Sequence, residues 1–303
     1  MAISRSQLVK ELEPGLNALF GLEYKRYENQ HAEIYNEESS DRAFEEEVML
    51  SGFANAQVKG EGSGVSFDEA QETFTARYTH ETVALAFAIT EEAIEDNLYD
   101  RLASRYTKAL ARSMSNAKQV KSVEPLIQGL PTTNNFDSGD GVSLFNTSHP
   151  TVAGTFSNTL ATQADLNETS LEQSMIDIAA MTDERGLRIA ARGVKMIIPS
   201  EQQFTAERLM KSQGRTGTAD NDINAIVSMG MVPQGYRVNN YLTDTDAFYI
   251  LTDVPNGMKM FNRAPLTTAM EGDFDTGNVR YKARERYSFG VSDPRGIFGS
   301  PGA

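Results

Sequence analysis

Apolar residues recur at every fourth position along one stretch of the chain: Ile94, Leu98, Leu102, Tyr106, Leu110 and Met114, continued by Ala117 and Val120. This spacing predicts a helix from Thr90 to Glu124 with one apolar face. Thr90 suits the N-cap. Glu91, Glu92, Glu95 and Asp96 crowd the first turns, while Lys118 and Lys121 lie near the end, in keeping with the helix dipole. Pro125 is the expected stop, because the residue before a proline is pushed out of the helical region. At ~1.5 Å per residue the rod would reach roughly 50 Å.

Upstream, Phe44 to Ile89 reads as extended chain. Apolar residues fall on even positions as far as Tyr78 and on odd positions from Val83. The change of phase predicts a bulge or bend near His80 to Thr82. The outer part, around Lys59, Gly60, Glu61, Gly62, Ser63 and Gly64, is poor in core residues and reads as the tip of a hairpin projecting from the body. A hairpin of that kind needs a partner surface to be stable. Before it, a short helix from Ser4 to Glu13 is expected to end at Pro14-Gly15, leaving an arm with Phe20, Tyr24, Tyr27 and Tyr35 spread among charges.

After the long helix comes a turn-rich run from 129 to 158, with a short strand at Val142 to Phe145. Helices are predicted over Asn167 to Asp183, after a capping box at Ser200 to Gln203, and through Ile223 to Val227. Strands are predicted at Val194 to Ile198, Tyr236 to Tyr241, Ala247 to Leu251, Met258 to Phe261, Val279 to Tyr281 and Arg284 to Val291, before a Pro- and Gly-rich end.

Composition narrows the function. With 303 residues, 40% hydrophobic and 23% charged, the chain has the makeup of a folded protein. No apolar run reaches the ~18 residues of a membrane span. The start lacks a signal peptide's apolar core, so a cytoplasmic site of synthesis is expected. The chain has no cysteine, which excludes disulfides and thiolate chemistry. A net charge of −14 argues against a protein that grips nucleic acid through a basic face, though not against one that encloses it. His31, His80 and His149 have no ligand spacing among them, and His149 reads as a loop residue bonded to backbone. The glycines at 60, 62 and 64 do not match a dinucleotide fingerprint. No catalytic residues, cofactor or metal are expected.

The order of parts is distinctive: an arm, a projecting hairpin, one long helix, a mixed middle and closing strands. It resembles the major capsid protein of tailed bacteriophages, with the Hong Kong 97-type shell fold. AQVKGEGSGVSFDEAQETFTARYTHETVALAFAITEEAIEDNLYD looks like that family's E-loop feeding its spine helix. LFNTSHP resembles the segment that follows, and RYSFGVSDPRGIFGS its C-terminal end. The resemblance implies an α+β fold with an N-arm (1–47), an E-loop hairpin (48–82) and a P-domain with spine helix (83–130). An A-domain with connecting loops (131–257), P-domain strands (258–294) and a C-terminal tail (295–303) would follow. It implies subunit contacts at the hairpin tip, Lys59 to Gly64, and assembly of hexamers and pentamers into an icosahedral shell. That shell would hold double-stranded DNA without specific binding. A portal and a separate scaffolding or decoration protein would be partners, with assembly in the host bacterial cytoplasm and residence in the virion. Rival readings are an encapsulin-type nanocompartment shell, a hydrolase with a site in the 129–158 loop, and a non-shell virion adaptor.

Overall fold

The computed structural model describes residues 5–90, 92, 99–130, 136–215, 222–273 and 277–303. In chain order the first elements are α1 (Arg5–Arg26), β1 (Asn36–Ser39), β2 (Phe44–Leu50), β3 (Glu72–Thr79), β4 (Glu81–Ile89) and α2 (Tyr99–Gln128). Next come β5 (His149–Thr151), β6 (Gly154–Phe156), α3 (Glu168–Ala180), β7 (Gly193–Ile198), α4 (Gln203–Lys211) and α5 (Ala225–Ser228). The chain closes with β8 (Tyr236–Val238), β9 (Phe248–Thr252), β10 (Met258–Gly272), β11 (Val279–Val291) and β12 (Ile297–Ser300).

Two four-stranded sheets organise these elements, ordered β1-β10-β11-β4 and β12-β9-β7-β8. Along β11 the buried residues Tyr281, Ala283, Glu285 and Tyr287 alternate with Arg280, Lys282 and Arg284, which point to the exposed face. The buried face carries α2, and α1 lies on α2. Leu16, Phe20, Ala103, Leu110, Ala111, Met114 and Tyr281 pack there as one cluster. A second cluster joins the end of α2 (Val123, Leu126) and Leu130 just beyond it to Ile197, Tyr249, Met260 and Ile297, linking the two sheets. The third packs α3 and α4 on the second sheet through Leu171, Ile178, Met196, Leu209 and Ile250.

The long helix differs in phase and end from its sequence pattern. Ile94, Leu98 and the side chain of Leu102 lie outside the described part. Further on, the buried face runs through Ala103, Thr107, Leu110, Met114, Gln119, Val123 and Leu126, while Tyr106 and Val120 are 47% and 42% exposed. A four-residue step overshoots one turn by ~40°, so the stripe rotates off the core; these buried positions follow steps of three and four as far as Met114 and then shift by five to Gln119, where the neighbours of the helix change. The helix also continues through Pro125. A proline costs ~3 kcal/mol inside a helix, and burial of Val123, Leu126 and Leu130 outweighs it. Likewise α1 runs through Pro14, because Leu16 and Phe20 beyond it are buried against α2 and β11.

Other differences have similar causes. Val142 to Phe145 forms no strand; Leu144 and Phe145 act as core plugs instead, both 0% exposed. The expected capping box at Ser200 is a 3-10 turn without a side-chain cap, whereas Asn167 and Ser170 form a reciprocal box at the start of α3. The expected tail from 295 to 303 contains β12, which is buried at the edge of the second sheet against β9. Its entry requires Gly296, whose Cα faces Gly257 so closely that a Cβ on Gly296 would lie 2.3 Å from it.

Candidate intersubunit surfaces

The hairpin is built in two halves. Its lower half, β2 on β3, pairs from Phe44↔Thr79 to Leu50↔Glu72. It is tied to the body by Tyr78, whose ring packs on Phe261 and whose hydroxyl meets Ser292 Oγ at 2.5 Å. Lys259 Nζ bridges Glu47 at 2.5 Å and Glu38 at 3.2 Å, drawing β10, β2 and β1 together. The chain then changes partner at one residue. β3 ends at Thr79 and β4 begins at Glu81 on β11, with His80 between them held by Ser40 Oγ at 3.0 Å and Ser288 Oγ at 2.9 Å. The bend anticipated from the phase change sits there.

The upper half starts at a bridge in which Ser51 N–H donates to Gln71 O at 2.8 Å and Gln71 N–H to Ser51 Oγ at 2.9 Å. Beyond it the chain forms no ladder. Arg185 steadies the base through Glu69 O and the Asp68 carboxylate. At the tip, Ser63 N–H donates to Gly60 O at 3.2 Å and its Oγ at 2.6 Å, closing a turn through Glu61 and Gly62. Gly62 has φ of +77°, a conformation that disfavours any side chain. Lys59 to Gly64 are all exposed. Around them Val58 and Phe67 are 99% and 97% exposed, and Phe53 and Val65 are exposed too. Apolar groups carried so far from any core signal a partner surface.

A second surface lies at the far side of the second sheet. Met210, Ile226, Met231, Val232 and Tyr236 line a groove of about 530 Å³. Phe204, Ile223 and Met229 stand exposed on the same lobe. α4 buries Ala206 and Leu209 and leaves Phe204 outward.

The 129–158 loop has the residue types of a hydrolytic site, yet among its described residues the histidine and its partners are turned inward. His149 is wholly buried, with Nδ1 2.5 Å from Asp140 Oδ2 and Nε2 3.0 Å from Asn158 Oδ1. Asn158 Nδ2 donates to Leu144 O and Pro294 O, and its Oδ1 accepts from Asn146 N–H. That oxygen therefore accepts a hydrogen bond from His149 Nε2 as well, while Nδ1 faces the Asp140 carboxylate. Burial alone would raise the Asp140 carboxyl, but contact with His149 together with hydrogen bonds from Ser138 and the Val142 backbone reverses this and leaves it below the usual range. Beyond the ring Phe156 stacks on His149, and the Arg295 guanidinium covers Phe156 while bonding Glu184 and Asp293. The bonding partners are side chains rather than the backbone expected from sequence. The loop is a structural lock joining residues 137–158 to the chain's end. Among the described residues no group of histidine, aspartate and glutamate is placed to hold a metal ion.

A family model described as phage capsid protein matches residues 72–299 of the chain. The chain belongs to the phage capsid protein family. No curated protein sequence matches it. Among solved structures, this capsid protein is similar to a virus-like particle from Pyrococcus furiosus at 10% identity and a TM-score of 0.55, covering 95% of this chain and 98% of that one. It is similar to the capsid of Myoviridae phage XM1 at 12% identity, with a TM-score of 0.52 and 89% of each chain covered. A Mycobacterium phage Che8 chain matches at 14% identity and a TM-score of 0.52, covering 91% of this chain and 93% of that one. The fold is the Hong Kong 97-type capsid fold anticipated from the order of parts, and the capsid protein is a major capsid protein that forms an icosahedral shell. The likeness to the virus-like particle extends to the fold; the family match favours a phage shell over a nanocompartment.

Proposed function

We propose that this capsid protein is the head protein of a tailed phage, arranged as hexamers and pentamers around double-stranded DNA and lacking catalytic activity. The single observation carrying the reading is the upper hairpin. Nineteen residues, 52–70, have no ladder partner and present Phe53, Val58, Val65 and Phe67 to solvent, a surface that only another subunit would cover. In this reading residues 1–47 are the N-arm, 48–82 the E-loop and 83–130 the P-domain with α2 as spine helix. Residues 131–257 are the A-domain, 258–294 the remaining P-domain strands and 295–303 the terminal segment. Lys59 to Gly64 touch a neighbour at the loop tip. The long β10–β11 pair beneath α2 supports the P-domain assignment, since it makes one stiff layer of sheet and helix. A portal and a separate scaffolding or decoration protein complete the head, which assembles in the bacterial cytoplasm. Negative net charge suits an inner wall past which packed DNA must move. Electron microscopy and light scattering of the purified protein, alone and with a co-expressed scaffold, test the reading. Closed shells or capsomer rings are expected, and a monomer under every condition overturns it.

A further inference from the structure

The charge of the chain is unevenly spread. Within α2 there are six basic residues, Arg101, Arg105, Lys108, Arg112, Lys118 and Lys121, against two acidic ones, in a chain of net charge −14. Lys118 and Lys121 are spent on Glu285 and Glu81. Arg105, Lys108 and Arg112 are exposed, and none of them has an ion-pair partner among the described residues. They lie three and four positions apart, on the face of α2 turned away from the sheet, spaced by ~4.5 and ~6 Å along the axis.

Lys108 and Arg112 flank a groove of about 550 Å³ between α1 and α2, with Ala109, Ser113, Asn116, Tyr27 and Glu23. Glu23 does not neutralise them: it is buried and accepts from Tyr27 Oη at 3.3 Å and Arg26 Nη1 at 3.5 Å. The rim therefore offers a guanidinium, an ammonium, a hydroxyl and an amide, and Arg105, one turn before Lys108 on the same exposed face, adds a second guanidinium beside it. These are the groups that contact phosphate and sugar without reading sequence. Tyr27 is the groove's one large apolar residue, so an acidic polypeptide would find little to anchor its own apolar side chains.

We infer that Arg105, Lys108 and Arg112 form a phosphate-backbone contact for the enclosed nucleic acid, and that the α1–α2 face lines the shell interior. This rests on the proposal that the shell encloses DNA. The contact is weak for one subunit and becomes effective through repetition over the wall, so DNA is held locally yet remains free to slide. The basic row on the opposite sheet face is the poorer candidate, since Arg280 is paired with Asp273 and lies opposite Glu271.

Unassembled full-length subunits, titrated into a short fluorescent duplex at rising salt, test the contact apart from shell formation. Three phosphate contacts predict a slope of log affinity on log salt of about −2.7. The triple variant R105Q/K108Q/R112Q should flatten that slope and weaken low-salt binding at least ~10-fold, and each single variant should remove about one unit of slope. K282Q/R284Q should leave binding within about twofold, because it alters only the opposite face. Circular dichroism of each variant confirms the fold, and the single variants carry the test if the triple variant loses helix. Unchanged binding in the folded triple variant, or loss confined to K282Q/R284Q, overturns the inference. So does capture of polyglutamate with no capture of DNA, which would assign the face to an acidic protein. Sedimentation of shells from the triple variant separates the two proposals: normal shells with lost DNA binding leave the shell reading standing.

Discussion

Gln119 clamps His31 from both sides: its Oε1 accepts the His31 backbone N–H at 3.0 Å, and its Nε2 lies 3.0 Å from the ring Nδ1. Since an amide nitrogen only donates, Nδ1 accepts and the imidazole is neutral. Burial, helped by the Lys118 charge, pushes the ring down to about 4. Between that value and the ordinary ~6.5 the unfolded chain binds the extra proton. Stability should therefore fall as pH drops from about 6.5 towards 4. Thermal melts of unassembled subunits across this range should show the loss, and His31→Gln should flatten it; an equally steep slope in the variant would assign the acid sensitivity elsewhere.

Asp244 behaves in the opposite sense. Burial, with a hydrogen bond and charge from Asp246, pushes its carboxyl up to about 6. Here the folded state holds the proton longer than the unfolded chain, so stability decreases as pH rises from about 4 to 6. Asp244→Asn should melt like the native chain at the acid end and above it at neutral pH. A variant less stable at neutral pH would mean that the ionised carboxylate is needed.

Met114 and Lys108 separate the two faces of α2. Met114 is 1% exposed, so Met114→Ala should cost about 2–5 kcal/mol. Lys108→Ala, on the exposed face, should cost no more than about 0.5 kcal/mol. Melts of free subunits measure both, and equal losses would place the buried face elsewhere.

Gly296→Ala brings a methyl group against the Gly257 backbone, which has no flexible end to move aside. Overpacking of this kind costs about 1–3 kcal/mol. Denaturant midpoints should show it, and a neutral result would mean that the two segments separate easily.

Replacing residues 53–70 with a short Gly-Ser turn should leave circular dichroism and melting near native while abolishing shells. Unfolding of this variant would put the upper hairpin in the subunit core.

Elements with strong local signals were legible in the sequence. The phase change located the turn at His80 because a strand facing one surface has a fixed parity. Asn167 and the residues after it announced α3. What was missed depends on partners far along the chain. Nothing local shows that Pro14 and Pro125 lie inside helices, since Phe20 and Leu126 supply the compensation through distant neighbours. The His149–Asp140–Asn158 lock was equally hidden: three polar residues in a turn-rich run look solvated until Phe156 and Arg295 are seen to seal them. In the hairpin the tip's glycines were visible, whereas the bridge at Ser51 and Gln71 that divides it carries no sequence signal.

That bridge gives the molecule a fulcrum. Below it, Tyr78 and Lys259 bind the hairpin to the body; above it, among the described residues, Arg185 holds the arm of 52–70 at its base. Folded back at its tip, that arm extends at most about 30 Å. A tilt of about 10° at its base then carries the tip through about 5 Å, roughly one strand spacing. No residue of the three core clusters has to move. A closed surface built from one kind of chain meets its neighbours at several angles, and a tilt at this bridge would take up the difference outside the core.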